Sequence, residues 1–225
     1  MVERVLVWTG GGLFVASLAV CASSYLVGFG RRRPWHGWQP LVADVVLFTV
    51  FAAHHSVFAR DRSKQTIAAM IPPRLLRSCY VWIASTLLVL MCLLWQPVGG
   101  ALYDVHGAQA VAQAGVQLAG VWLIARSVAK IDALDLAGIR PAANVAGLQV
   151  GGPYQLVRHP LYLGWILSVF GTPRMTGDRL LFAVITSSYL VIAIPWEERS
   201  LARSFGDAYT RYKLTVRWRL IPFIY

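Results

Sequence analysis

The 225 residues are 57% hydrophobic and only 14% charged, with nine tryptophans and a net charge of +11. A soluble domain of this length carries about 25% charged residues, so the deficit, with several apolar runs near 20 residues, excludes an ordinary soluble core and predicts a polytopic membrane protein. The positive charge does not point to nucleic acid, because the basic residues fall in short loops and in the tail, as they do where membrane loops face anionic lipid.

The first span is expected over roughly residues 5–29, ending against Arg31-Arg32-Arg33-Pro34. Arg4 precedes it, but the run is too long for the apolar part of a leader and shows no persuasive small-residue cleavage site, so no cleavable leader is expected. Gly10-Gly11-Gly12 follows no strand, which argues for close helix packing over dinucleotide binding. The second span, roughly 40–59, holds Asp44, His54, His55 and Ser56. Asp44 and His55 are eleven residues apart and, at about 100° per residue, share nearly one helix face. Ionisable groups inside spans face a bundle interior or a cavity. Two readings stand side by side: a structural hydrogen bond, or a wall of an acceptor pocket formed by Asp44, His54 and His55. Neighbouring helical histidines diverge by about 100° and make a poor metal pair. Cys21, Cys79 and Cys92 lack metal spacing and read as packing residues, so no metal is expected.

A basic loop with Arg60, Arg62, Lys64, Arg74 and Arg77, broken by Pro72-Pro73, leads to a third span over roughly 79–95 and a turn at Pro97-Val98-Gly99-Gly100. The fourth span covers roughly 110–131, where Gln113 and Gln117, one turn apart, glue helices. Arg126 and Lys130 mark its water end. The polar segment 132–150, with Pro141, is the one sizeable linker, and it divides the chain into an N-terminal bundle (1–131) and a cofactor region (132–225). Residues 161–170 are apolar but short for a span, Gly171-Thr172-Pro173 breaks them, and 180–195 is apolar again. This predicts a helical hairpin with a short first arm, a device used where a cavity must open. The fold class is all-α: a membrane bundle of five to six spans followed by an amphipathic cytoplasmic helix.

With six crossings and both termini in the cytoplasm, 16 of the 21 basic residues lie inside; Arg31, Arg32, Arg33, Arg174 and Arg179 lie outside. The triple arginine runs against the rule, and the total favours this orientation, in a bacterial inner membrane. Two polar clusters then share the cytoplasmic face. One is Gly151 to Gly164, containing Arg158 and His159; the other is Glu197-Glu198-Arg199. After Pro195, Leu201, Phe205, Ala208, Tyr212 and Val216 recur at three- and four-residue steps and form one apolar stripe over roughly 196–216. Glu197 lies about 40° to one side of Leu201 and Glu198 about 60° to the other, so both acids are expected on the buried side. A buried carboxylate costs several kcal/mol unless paired, and Arg158, His159 or a ligand amine would pair it. An N-cap role, worth about 0.3–1 kcal/mol, explains one glutamate better than two. The two clusters together are expected to hold a polar cofactor at the membrane face.

At these residues the chain resembles the isoprenylcysteine carboxyl methyltransferase superfamily, which includes phospholipid N-methyltransferases. The resemblance rests on Gly-Pro-Tyr-Gln-Leu-Val-Arg-His-Pro-Leu-Tyr-Leu-Gly (152–164), on 197–212, and on the terminal Val-Arg-Trp-Arg-Leu-Ile-Pro-Phe-Ile-Tyr, roughly the last third of the chain. His55-Ser56-Val57-Phe58-Ala59-Arg60, Trp95-Gln96-Pro97 and Thr172-Pro173-Arg174-Met175-Thr176 resemble bacterial methanethiol S-methyltransferases and NnrU-like proteins. The resemblance implies a membrane methyltransferase using S-adenosylmethionine, bound without a Rossmann domain between the last spans and the tail. Its acceptor would be small or lipid-like: a thiol, a prenylcysteine carboxylate or similar.

By the same resemblance Arg158, His159 and Glu198 are the catalytic set. Arg158 would neutralise the cofactor's carboxylate through its guanidinium fork. Tyr154 and Tyr162 would stack on adenine or face the sulfonium, a contact of about 0.5–2 kcal/mol, although interfacial tyrosines also occur as membrane belts. Glu197 or Glu198 would take the ribose hydroxyls or the amino group. Gly152 and Gly164 would admit close backbone approach, and Pro160 would fix the helix start. An imidazole suits proton removal near neutral pH; a thiol acceptor needs it and a carboxylate does not. Two other classes compete. A sterol-reductase-like enzyme using NADPH is expected to carry Asn after Arg-His-Pro, where Leu161 stands. A small transporter or sensor using Asp44, His54 and His55 leaves the inward glutamates unexplained.

Overall fold

Mean hydropathy predicts the spans closely. In the computed structural model, which describes residues 2–59, 72–131, 133–139 and 147–225, five helices are long and apolar enough to cross a membrane. They are α1 (Val2–Ser23, continued by a wider turn over Ser24–Gly28), α2 (Trp38–Ala59), α3 (Pro73–Leu94), α4 (Gly107–Val128) and α7 (Gly177–Thr215). Among the described residues there are also two shorter α-helices, α5 (Ala133–Leu136) and α6 (Pro160–Phe170), and a single 3-10 turn over Gly152–Gln155. Two short strands, β1 (Ala101–Asp104) and β2 (Arg174–Thr176), pair antiparallel. The protein is an all-α, polytopic integral membrane protein. Arg60, Arg62, Lys64, Arg140 and Pro141 lie outside the described residues.

The chain forms two compact units, residues 1–100 with 132–145, and 101–131 with 146–225. Within the second unit α4 packs against α6. In the first unit, Gly10 of α1 faces the Trp82 ring of α3, and a Cβ there would meet the ring at 2.9 Å. Trp82 Nε1 donates to the Leu6 carbonyl at 2.9 Å. The fully buried Asp44 of α2 accepts the backbone N–H of Gln96 at 2.9 Å, just past the end of α3. His55 bonds the Tyr80 hydroxyl and His54 stacks on the Tyr80 ring, at the start of α3. Asp44 and the histidines thus share a helix face but meet opposite ends of α3, and about 16 Å of helix separates them.

The second unit is organised around one close crossing. A Cβ on Gly120 of α4 would lie 2.6 Å from the Gly164 carbonyl oxygen of α6, and a Cβ on Gly164 would lie 2.8 Å from the Gly120 oxygen. Only glycine allows two backbones so close, as at small-residue crossings in membranes generally. α6 has 11 residues and rises about 16 Å, half of a hydrocarbon core. Beyond it, Gly171 to Pro173 are non-helical and Arg174–Thr176 form β2. Non-helical backbone survives at such depth only if protein satisfies it. Gln117 Nε2 donates to the Ser168 carbonyl at 2.9 Å, the Tyr103 hydroxyl to the Phe170 carbonyl at 3.4 Å, and the Val105 N–H to the Pro173 carbonyl at 3.0 Å. The buried Arg179 donates through Nη1 to Thr172 Oγ1 and to the Arg174 carbonyl, and Thr176 caps α7 by accepting the Arg179 N–H.

The apolar stretch and the amphipathic tail helix form one element: α7 stays helical through Pro195, and its one non-helical residue is Gly206 at φ 50°, where it kinks. A membrane helix tolerates proline because its neighbours re-satisfy the freed groups, whereas a positive φ suits glycine alone. The part of α7 before its kink at Gly206 already rises about 44 Å, longer than a hydrocarbon core, so its charged half beyond Pro195 extends out of the span.

Candidate active site

Pro160 opens α6 at the position where a missing N–H costs nothing. This leaves Arg158 and His159 in the preceding extended backbone, where their N–H groups donate to the carbonyls of Trp218 and Arg219 at 2.9 and 2.8 Å. The tail is thereby stitched along the Arg-His-Pro step. Arg158 is the centre of the joint. Its Nε donates to Glu198 Oε1 at 2.7 Å, and its Nη1 donates to the Val216 and Arg217 carbonyls at 2.8 Å each. Glu198, 40 residues later on α7, is buried and accepts on its other oxygen from Arg219 Nε at 3.1 Å.

His159 lies between the two acids, with Nδ1 3.5 Å from Glu197 Oε2 and Nε2 3.6 Å from Glu198 Oε1. Its side chain is 4% exposed, and Nε2 has no hydrogen-bond partner among the described residues. Tyr162 stacks on the His159 ring at 5.4 Å and donates its hydroxyl to Glu197 Oε2 at 2.7 Å. The Glu197 side chain is 43% exposed, so only Glu198 occupies the buried side as the helical angles predicted. The angle fixes direction, not depth, and Glu197 stands at the rim where Tyr162 meets it.

Burial opposes the charge of both acids, and their partners outweigh it. Arg158, Arg219 and His159 hold the Glu198 carboxyl below its ordinary value; His159 and the Tyr162 hydroxyl do the same for Glu197. Burial, then the charge of Glu197, pushes the Tyr154 phenol upward. Tyr154 sits in a short turn, Gly152–Gln155, that Gly152 opens at φ 63°, and its carbonyl accepts the Tyr212 hydroxyl at 2.7 Å. Beneath lie Tyr209, Tyr212 and Val216, packed by Tyr154, Leu201 and Phe205. Leu201, Phe205, Tyr212 and Val216 of the predicted stripe form this floor, whereas Ala208 is exposed and Tyr209 takes the buried place, because the non-helical Gly206 breaks the helical register.

Arg158, His159, Tyr162, Glu197 and Glu198 are brought together, with Pro160 at their base and Tyr154 near Glu197. Gly164 faces α4, where it serves the helix crossing. Asp44, His54 and His55 belong to the other unit. Sequence reasoning missed Arg219, whose signal was an arginine inside the apolar run from Trp218 to Tyr225. An apolar groove of about 390 Å³ between α4 and α6, lined by Gln113, Val116, Ile166, Leu167 and Phe170, lies at the opposite end of α6 from His159 and carries none of this chemistry.

A family model described as phospholipid methyltransferase matches residues 111–208. The chain is similar to methanethiol S-methyltransferase 2 of Bradyrhizobium diazoefficiens, 36% identical over 187 residues that cover 79% of this chain and 72% of that one. It is also similar to the methanethiol S-methyltransferase of Mycobacterium tuberculosis, 34% identical over 79% of this chain and 77% of that one. Protein-S-isoprenylcysteine O-methyltransferase of Schizosaccharomyces pombe is 35% identical over 72 residues, 31% of this chain and 30% of that one. No solved structure matches the chain. These similarities, with the long apolar helices, make the protein an integral membrane methyltransferase, an enzyme that acts with a methyl donor and an acceptor and whose helices contact lipid. The chain belongs to the family of the methanethiol S-methyltransferases.

Proposed function

We propose that this enzyme transfers a methyl group from S-adenosylmethionine to a small thiol at the cytoplasmic face of a bacterial inner membrane. The observation that carries the cofactor reading is the buried His159 Nε2, left without a hydrogen bond between two carboxylates. Such a group marks a place where a polar ligand completes the site, because unsatisfied buried polar atoms are rare. The half-exposed Glu197 and the rings of Tyr154 and Tyr162 fit a cationic ligand with an amine and ribose hydroxyls. When bound, S-adenosylmethionine supplies an electrophilic methyl group on a sulfonium sulfur, so that neither a metal nor a covalent enzyme intermediate is required.

The chain's own residues then have three tasks. Glu197 and the tyrosines bind and orient, and positioning of this kind is worth about 7–11 kcal/mol of barrier. Arg158 and Glu198 lock the tail against α6 and keep water out. A thiol, with an ordinary pKa of about 8.5, has to lose its proton, and His159 Nε2 takes it. Similarity to the methanethiol enzymes over most of the chain supports a thiol acceptor over a prenylcysteine, for which similarity covers a third.

The test is transfer of a labelled methyl group from S-adenosylmethionine to methanethiol, a prenylcysteine analogue and phosphatidylethanolamine, in detergent and in liposomes. Volatile labelled thioether formed from methanethiol alone is expected. Label in the lipid or the prenylcysteine, with none in the thioether, overturns the acceptor assignment.

A further inference from the structure

Glu198 is doubly paired, but its two arginines are not equivalent. Arg158 is 8% exposed in its side chain and makes three hydrogen bonds at 2.7–2.8 Å that hold the tail. Withdrawing it would leave a buried carboxylate and two carbonyls short of donors. Arg219 is 37% exposed, holds Glu198 at 3.1 Å, and rests Nη1 on the exposed Tyr225 hydroxyl at 3.1 Å with its guanidinium 5.2 Å from that ring. If its side chain leaves, Glu198 keeps Arg158 and its charge stays neutralised. The Arg219 backbone meanwhile stays fixed, because its carbonyl accepts the His159 N–H at 2.8 Å. The joint therefore has one locked cation and one exchangeable cation.

The exposed charges flank the buried ones. Glu197, 43% exposed, lies on one side of His159; Arg219 lies on the far side of Glu198. A ligand end carrying an ammonium and a carboxylate matches an exposed acid and an exposed guanidinium. The unsatisfied His159 Nε2 points independently to a ligand between them. We propose that Arg219 is the cofactor-binding residue that receives the carboxylate of the cofactor's amino-acid part, exchanging Glu198 for it, while Glu197 receives the ammonium. This rests on the S-adenosylmethionine reading and moves the carboxylate role from Arg158 to Arg219.

The test compares two ligands on the full-length protein in detergent by calorimetry: S-adenosylhomocysteine, and 5′-methylthioadenosine, which keeps the nucleoside and thioether sulfur but lacks the amino acid. Arg219→Gln is expected to weaken S-adenosylhomocysteine by about tenfold to a hundredfold, the worth of a charge-assisted hydrogen bond. It should leave 5′-methylthioadenosine within about twofold, and Arg219→Lys should fall between, since a point charge lacks the planar fork. Equal weakening of both ligands would show that Arg219 only holds the tail, and an unchanged S-adenosylhomocysteine affinity would remove it from the site. Both results overturn the proposal. Wild-type protein that melts cooperatively yet binds neither ligand would overturn the cofactor reading itself. Retained 5′-methylthioadenosine binding also certifies the fold of the variant.

Discussion

Glu198 takes a hydrogen bond from a different arginine on each oxygen, and it is buried. Removing one member of a buried ion pair costs about 3–5 kcal/mol, because the other is left uncompensated, so Glu198→Ala is expected to lower the melting temperature well beyond the effect of an exposed substitution such as Arg203→Ala. The Glu198 carboxyl is held below its ordinary value of 4.5. Its stabilising effect is therefore complete above about pH 4.5 and is lost as pH falls through the lowered value. Melts between pH 3 and 7 should show the wild type losing stability more steeply in acid than Glu198→Gln, with Glu197 leaving a residual slope. Equal slopes would mean that the pair does not hold the fold. Much at this scale was legible: helical angles placed Glu198 inward and an Arg-His-Pro step named its partner. Arg219 was not, because its role depends on a tail that folds back across 60 residues, and no local pattern encodes that return.

Among the elements, α6 shows how a short helix completes a crossing. Its crossing with α4 depends on facing glycines, and its C-terminal carbonyls depend on Gln117 and Tyr103. Gly164→Ala puts a methyl group about 2.8 Å from backbone oxygen and should cost about 1–3 kcal/mol, read as a lower unfolding midpoint in detergent. Gln117→Leu leaves the Ser168 carbonyl without its donor and should cost about 1–3 kcal/mol by the same measurement. The length deficit of the first hairpin arm was visible in the sequence, as was the Gly171-Thr172-Pro173 break. The β1–β2 pairing was not, since strands of three and four residues carry no period. Helix continues through Pro195, where the buried flank carrying Ile194 and Glu198 holds it.

For the whole molecule, α1, α2, α3, α4 and α7 are five candidate crossings, and the proposed cytoplasmic placement of both termini requires a sixth, made by α6 with residues 171–176. An even number returns the chain to its starting side, so reporter domains fused at the N- and C-termini should both be active only in the cytoplasm, and insertions near His36 and Val105 only outside. Termini reporting opposite sides would make α6 a re-entrant arm. The five long apolar spans were readable from the sequence because hydropathy is additive along the chain, whereas the short α6 left the count at five to six. The grouping of α4 with α6 was not, because it turns on glycines 44 residues apart.

The central claim is that Arg158, His159, Glu197 and Glu198 form a site for the methyl donor. Its most direct test is calorimetric titration of the detergent-purified protein with S-adenosylhomocysteine, beside Glu197→Gln, which leaves the Arg158–Glu198 joint intact. The account predicts one-to-one binding by the wild type, weakened about tenfold or more in the variant. Equal affinities, or no binding by a cooperatively folded wild type, would contradict it.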